Sequence, residues 1–282
     1  LSPIRKAIVT GAGPSLETHI DQIKRLHKEC FLIATDTSFP ALHQFNIRPD
    51  LVISIDCQQI SYLHFLSGFP RELPLILDLA SPPDLTRLSD KLIFFTSGHP
   101  FSQYVNTHWR KFPYIDTSGG NVSHAAISLA NALGAKEIFL FGTDFSYQEG
   151  KTYSRGTYIY PYFRIRESRF TSLEGQFFIF ILRNTNIVRE IVDGTIRYST
   201  KPMISYKKRL EESLSGISSK IYHAPGKGLS ITISEKTTYK TDKYSYPKIF
   251  SAGKPSSDWR TFLKSYANSL SYLAPPSAPI AN

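Results

Sequence analysis

Six short apolar runs, each ending in small, hydroxylated or acidic residues, punctuate the first 145 residues. They are Ala7–Thr10, Phe31–Asp36, Leu51–Asp56, Leu75–Leu79, Leu92–Thr96 and Ile138–Gly142. Each is apolar almost throughout. A strand with one face in water would alternate, so these runs read as strands covered on both faces. Stretches with helical character, Ser15–Lys28, Phe39–Asn46, Gln58–Leu66 and Val122–Leu133, lie between several of them. The alternation predicts an α/β fold, a mostly parallel sheet with helices on both faces.

Such sheets bind ligands beyond the carboxyl ends of their strands, so the residues just after each run are the informative ones. Gly11-Ala12-Gly13-Pro14-Ser15 joins the first strand to a helix. Glycines admit a close backbone approach, and a helix N-terminus offers free N–H groups to an anion. The turn is neither a dinucleotide fingerprint nor a P-loop, since the third Gly and the Lys are missing. It reads as a phosphate cradle or as a bare tight turn. Asp36, followed by Thr37, and Asp56 end two further strands. Carboxylates there hold ribose hydroxyls, accept from a base amine, coordinate Mg²⁺ or cap a helix. Asp116-Thr117-Ser118-Gly119-Gly120-Asn121 precedes the helix from Val122 and forms a second anion cradle or an ordinary cap, with His124 one turn inside. The last strand leads into Gly142-Thr143-Asp144-Phe145-Ser146-Tyr147.

From Tyr147 the pattern breaks. Residues 147–172 are rich in Tyr, Arg and Gly and read as a lid or binding loop. Helical periodicity returns at Leu173–Val192 and Ile204–Leu214. A β-like run, Leu229–Ser234, comes after the Pro-Gly-Lys-Gly turn at 225–228, and a helix is expected at Asp258–Leu273 with Ser256 or Ser257 as cap. The division is a domain over 1–235 and a basic extension over 236–282, whose tail from Ala274 reads as disordered. Residues 1–150 carry 12 Lys+Arg against 14 Asp+Glu, whereas 151–282 carry 21 against 9. The basic half predicts an anionic partner, with nucleic acid the less favoured one. No apolar run approaches the ~18 residues of a membrane span, so a cytoplasmic protein is expected. The chain opens without Met and reads as a fragment of a longer protein. Cys30 and Cys57, both in apolar runs, read as small buried hydrophobes, and the eight histidines show no metal-ligand spacing.

The segments GAGPSL (11–16), ATDTS (34–38), PDLVISID (49–56) and TSGGNVSHAAISLANALGAKEIFLFGTDFSYQEGKTYS (117–154) resemble the family of motility accessory factors (Maf) and MptE-like 6-hydroxymethylpterin diphosphokinases. The last segment is also similar to bacterial sialyltransferases that use CMP-sialic acid. The resemblance implies a Rossmann-like, nucleotide-binding transferase. In the Maf branch it implies transfer of a nonulosonic sugar from a CMP-linked donor to a Ser or Thr of a protein such as flagellin. In the other branch it implies ATP-dependent diphosphorylation of a pterin with Mg²⁺. A non-catalytic nucleotide or sugar sensor is a third reading. Carried over by position, Gly11, Gly13, Pro14, Ser15, Asp36, Thr37, Asp56, Ser118, Gly119, Gly120, Asn121, Asp144, Tyr147 and Tyr153 bind the nucleotide. Asp56, Asp144 and His124 are the candidates for catalysis. No bound metal or permanent cofactor is required. The sialyltransferases carry a His just before an Asn-Thr-Asp helix start, and the nearest counterpart here, Ile181–Asn186, has none.

Overall fold

The computed structural model describes residues 3–233 and 253–272. Its centre is a seven-stranded parallel sheet: β1 (Lys6–Thr10), β2 (Phe31–Thr35), β3 (Leu51–Ser54), β4 (Leu75–Asp78), β5 (Leu92–Phe95), β6 (Glu137–Phe141) and, after the hairpin strands described below, β10 (Lys220–His223). The spatial order is β10-β6-β1-β2-β3-β4-β5, and every pairing is parallel. The expected α/β class is therefore the observed one.

Successive residues of a strand face opposite sides. Ala7, Val9, Ile33, Leu51 and Ile53 pack on one face, against Ala126, Ile127 and Ala130 of α4 (Val122–Ala132) and Leu210 and Leu214 of α7 (Lys201–Leu214). Ile8, Leu32, Ala34, Val52 and Leu75 pack on the other, against Ile23 of α1 (Ile20–Leu26) and Phe39 and Leu42 of α2 (Phe39–Gln44). Two covered faces explain the unbroken apolar runs, and each fully buried Leu or Ile contributes about 1.5–3 kcal/mol. The expected helix at Ser15–Lys28 divides into a 3-10 turn, Pro14–His19, and α1. The one at Gln58–Leu66 is a 3-10 turn, Gln59–Phe65.

The segment after Tyr147 is built rather than looped. β7 (Tyr147–Gln148) joins a three-stranded antiparallel sheet, β7-β9-β8, and α5 (Ile159–Arg164) packs on α6 (Leu173–Leu182) through Phe163 and Phe177. The helix expected over Leu173–Val192 stops at Leu182. After Arg183–Asn186 the chain forms the hairpin β8 (Ile187–Val192) and β9 (Thr195–Thr200). Asp193 and Gly194, both at positive φ, make its two-residue turn.

Among residues 229–233 no strand forms, and Ser234 lies outside the described residues. β10 takes that place in the sheet. The extension's helix is α8 (Trp259–Ser271), capped by Asp258 rather than by Ser256 or Ser257: its carboxylate accepts from the amides of Arg260 and Thr261. α8 docks on α3 (Pro100–His108) and the turn after it, where Trp259 meets Trp109 edge-on at 4.7 Å and Tyr266 meets Tyr104 at 4.8 Å. The tail from Ala274 lies outside the described residues. Cys30 is buried as expected, but Cys57 is exposed, because the chain has already left β3 and turned outward there.

Candidate active site

Strand order reverses between β1 and β6, and the carboxyl ends at such a reversal are where ligands of parallel sheets sit. The two chain exits are drawn together. The Gly11 amide donates to the Phe141 carbonyl at 2.8 Å, and the Gly13 amide to the Gly142 carbonyl at 2.8 Å. A Cβ on Gly11 would lie 2.5 Å from the Gly142 oxygen and 3.2 Å from Ser123 Oγ in the first turn of α4. Gly142 takes φ 66°, and a Cβ there would overlap the Gly11 carbonyl. These glycines let three chain segments converge.

Asp144 occupies the turn that the sequence marks as the first phosphate cradle. Its carboxylate accepts from the Ser15 amide at 2.8 Å and from Ser15 Oγ at 2.5 Å. A Cβ on Gly13 would overlap it. The turn at Gly226–Gly228 closes over the pair: a Cβ on Gly226 would lie 2.6 Å from Ser15 Cβ, and the Leu229 amide donates to the Asp144 carbonyl at 2.8 Å. Burial pushes the Asp144 carboxyl up, with the Ser15 donors pulling it partly back. The turn at Gly13, Pro14 and Ser15, expected to cradle a phosphate, holds a carboxylate of the chain itself, that of Asp144.

Asp36 is likewise tied inward. One oxygen accepts from the Thr37 amide at 2.6 Å and from its hydroxyl at 3.0 Å, and the other from Ser54 Oγ at 2.6 Å, linking β2 to β3. Asp56 holds the Gln58 amide at 2.8 Å and remains partly exposed. The segment after β6 closes towards these strand ends. The Ser154 amide donates to the Ala12 carbonyl at 2.9 Å. Tyr147, Tyr153 and Tyr158 all lie within electrostatic reach of Arg183, Tyr153 within reach of Asp36, and Tyr158 within reach of both Asp36 and Asp56. Desolvation pushes all three phenols up, which keeps them neutral. Tyr158 and Arg183 were absent from the expected binding set. The nearest sequence signal is the aromatic and basic composition of the segment itself.

The second expected cradle is largely self-satisfied. Ser118 N–H donates to Asp116 at 2.9 Å, Gly119 N–H to His124 Nδ1 at 3.0 Å and Gly120 N–H to the Thr117 carbonyl at 2.9 Å. Asn121 caps α4, its Oδ1 accepting from the His124 amide at 3.0 Å. The ring of His124 is buried, and desolvation pushes its pKa down against the pull of Asp116 at 3.7 Å. With Nδ1 accepting from Gly119, His124 is a positioning residue for the turn. The donors left open are one step further on. The amides of Val122 and Ser123 and the Ser123 hydroxyl have no partner among the described residues, and the hydroxyl stands beside Gly11.

A cavity of about 240 Å³ is lined by Asp144, His223, Gly226 and Ile231, and a larger one of about 480 Å³ lies within the segment after β6. Gly13, Asp56 and Gly119 line neither. Among the described residues no three His, Cys, Asp or Glu side chains converge as a metal site. No helix there is long and apolar enough to cross a membrane.

Known proteins resemble this architecture. One of Treponema pallidum (strain Nichols), itself uncharacterized, is 35% identical over 207 residues, covering 69% of this chain and 72% of the relative. Another from the same organism is 28% identical over 155 residues, covering 53% of this chain but 27% of the relative. The structure of a Maf glycosyltransferase from Magnetospirillum magneticum AMB-1 superposes with a TM-score of 0.57 at 17% identity, over 83% of this chain. The chain spans 35% of that glycosyltransferase's length, and the likeness shows a shared fold. The family model described as 6-hydroxymethylpterin diphosphokinase MptE-like matches residues 2–150, more than half of the chain. With the strand order, the strand-end turns and this match in agreement, the chain belongs to the MptE-like family.

Proposed function

We propose that this chain is a nucleotide-dependent transferase of the Maf-like kind, moving a nonulosonic sugar from a CMP-activated donor to a protein hydroxyl. One observation carries the reading: the α4 N-terminus keeps two amides and the Ser123 hydroxyl without partners among the described residues, and that hydroxyl stands beside Gly11, after β1, where strand order reverses. Amides fixed by a helix stabilise the charge that grows on a departing CMP phosphate at little reorganisation cost. Asp56, the least committed of the strand-end carboxylates, is the candidate base for the acceptor hydroxyl. The phenols of Tyr153 and Tyr158, with Arg183, close the crevice against water that would hydrolyse the donor.

The family description favours a second reading, ATP-dependent diphosphorylation of a pterin. Asp56 would then be the residue to hold Mg²⁺, which would supply positive charge to the ATP phosphates, since this ion is commonly held by one or two carboxylates plus substrate. Calorimetric titration separates the two. The sugar reading predicts binding of CMP without Mg²⁺, weakened about tenfold by Ser123→Ala, the equivalent of one charge-assisted hydrogen bond. Mg²⁺-dependent binding of ATP with none of CMP would replace it by the diphosphokinase.

A further inference from the structure

The segment after β6 encloses a cavity of about 480 Å³ between α2, the turn at 149–156, α5 and α6. Small-molecule sites occupy about 300–1,000 Å³ and are mainly apolar with a few placed polar groups. Here Tyr160, Leu173, Phe177 and Phe178 supply the apolar wall. That wall is set in advance. Tyr160 O–H donates to the Tyr153 carbonyl at 3.1 Å, and its ring meets Phe177 edge-on at 5.1 Å. Phe163 holds the other side of Phe177 at 5.2 Å.

Charge at the cavity is unequally committed. Arg155 pairs with Glu17 at 3.4 Å, and Glu149 with Lys227 at 2.9 Å. Lys151 and Arg164 also line the cavity, and neither has a carboxylate at ion-pair distance among the described residues. Glu174, a carboxylate with no ion pair among the described residues, lines it too. An aromatic wall in the same cavity as these two cations suits a ligand that stacks and carries negative charge.

We propose that this cavity is a second ligand site, separate from the strand-end crevice, for a small molecule combining an apolar ring with one anionic group. Gly11, Asp56 and Ser123 do not line it, while Gln44, the last residue of α2, does. The proposal stands whether or not a nucleotide binds at α4.

The test uses the full chain with three probes: phenyl phosphate, inorganic phosphate and benzyl alcohol, each titrated by calorimetry. The expected result is phenyl phosphate binding at least about tenfold more tightly than either of the others, because ring and anion are held together. Arg164→Glu should weaken it about fivefold or more by placing like charge at the mouth. Leu173→Trp should fill the space and abolish binding. Equal affinity for the three probes, or phenyl phosphate binding untouched by Arg164→Glu, overturns the proposal. Should Leu173→Trp fail to fold, the exposed Arg164→Glu variant decides alone.

Discussion

The pairing of Ser15 with Asp144 joins residues 129 positions apart and should be measurable by replacing Ser15 with Ala. The variant loses the 2.5 Å hydroxyl donor and leaves a 4% exposed carboxylate with the Ser15 amide. A hydrogen bond to a charged group contributes about 1.5–3 kcal/mol, so a loss of about 2 kcal/mol is expected at a pH above the folded-state pKa of Asp144. For a chain of this size that lowers the melting temperature by about 4–8 °C. In an Asp144→Asn background the same substitution breaks only a neutral bond, costing about 1 kcal/mol, and the cycle yields a coupling of about 1 kcal/mol. The pH dependence has a definite sign. Because burial raises the Asp144 pKa above its ordinary 3.8, this residue's stabilising contribution is fully present below that value. It is lost as pH rises through the folded-state pKa. Asp144→Asn removes that slope, so the cost of the Asn substitution should fall as pH rises. Urea and thermal unfolding of the four proteins across pH read all of this. A Ser15→Ala variant within about 0.5 kcal/mol of the parent, or strictly additive effects, would refute the claim that the carboxylate fills this turn.

Two further outcomes are expected. His124 titrates below its ordinary 6.5 because it is buried, so its share of stability is intact above that pH and is lost as pH falls through the folded-state pKa; His124→Gln should flatten the melting profile below that pH. The chain has two tryptophans, Trp109 and Trp259, which face each other across the α3–α8 contact, so emission reports docking of α8. Phe262→Ala removes a buried aromatic worth about 3–5 kcal/mol, and should red-shift that emission and expose 253–272 to protease while shifting the main melting transition by less than about 2 °C.

The central sheet was legible because its strands are buried on both faces and their sequences carry that burial directly. β10 was not: Lys220-Ile221-Tyr222-His223 is a four-residue edge strand with polar residues at both ends, between a helical stretch and a Pro-Gly turn that carry the stronger local signals. The β8–β9 hairpin did carry a signal, the Asp193-Gly194 turn. The apolar run through α6 masked it, since Phe177–Leu182 and Ile187–Val192 differ in period only over a few residues. At the site, the strand-end residues were identifiable from their position after apolar runs. Their commitments were not, because Ser15–Asp144, Asp36–Ser54 and Gly119–His124 are bonds between a side chain and a partner group that meet only in the folded chain. Cys57 shows the same limit, as its exposure depends on which way the chain turns after β3.

The N-terminus of α4, where the Ser123 hydroxyl stands beside Gly11, is proposed to receive the phosphate of a nucleotide. A crystal structure of the chain with CMP tests it most directly. The account predicts phosphate oxygens within hydrogen-bond distance of the Val122 and Ser123 amides and the Ser123 hydroxyl, with Asp144 still bound to Ser15. A phosphate seated on the Ser15 amide with Asp144 displaced, or CMP bound away from α4, would contradict it.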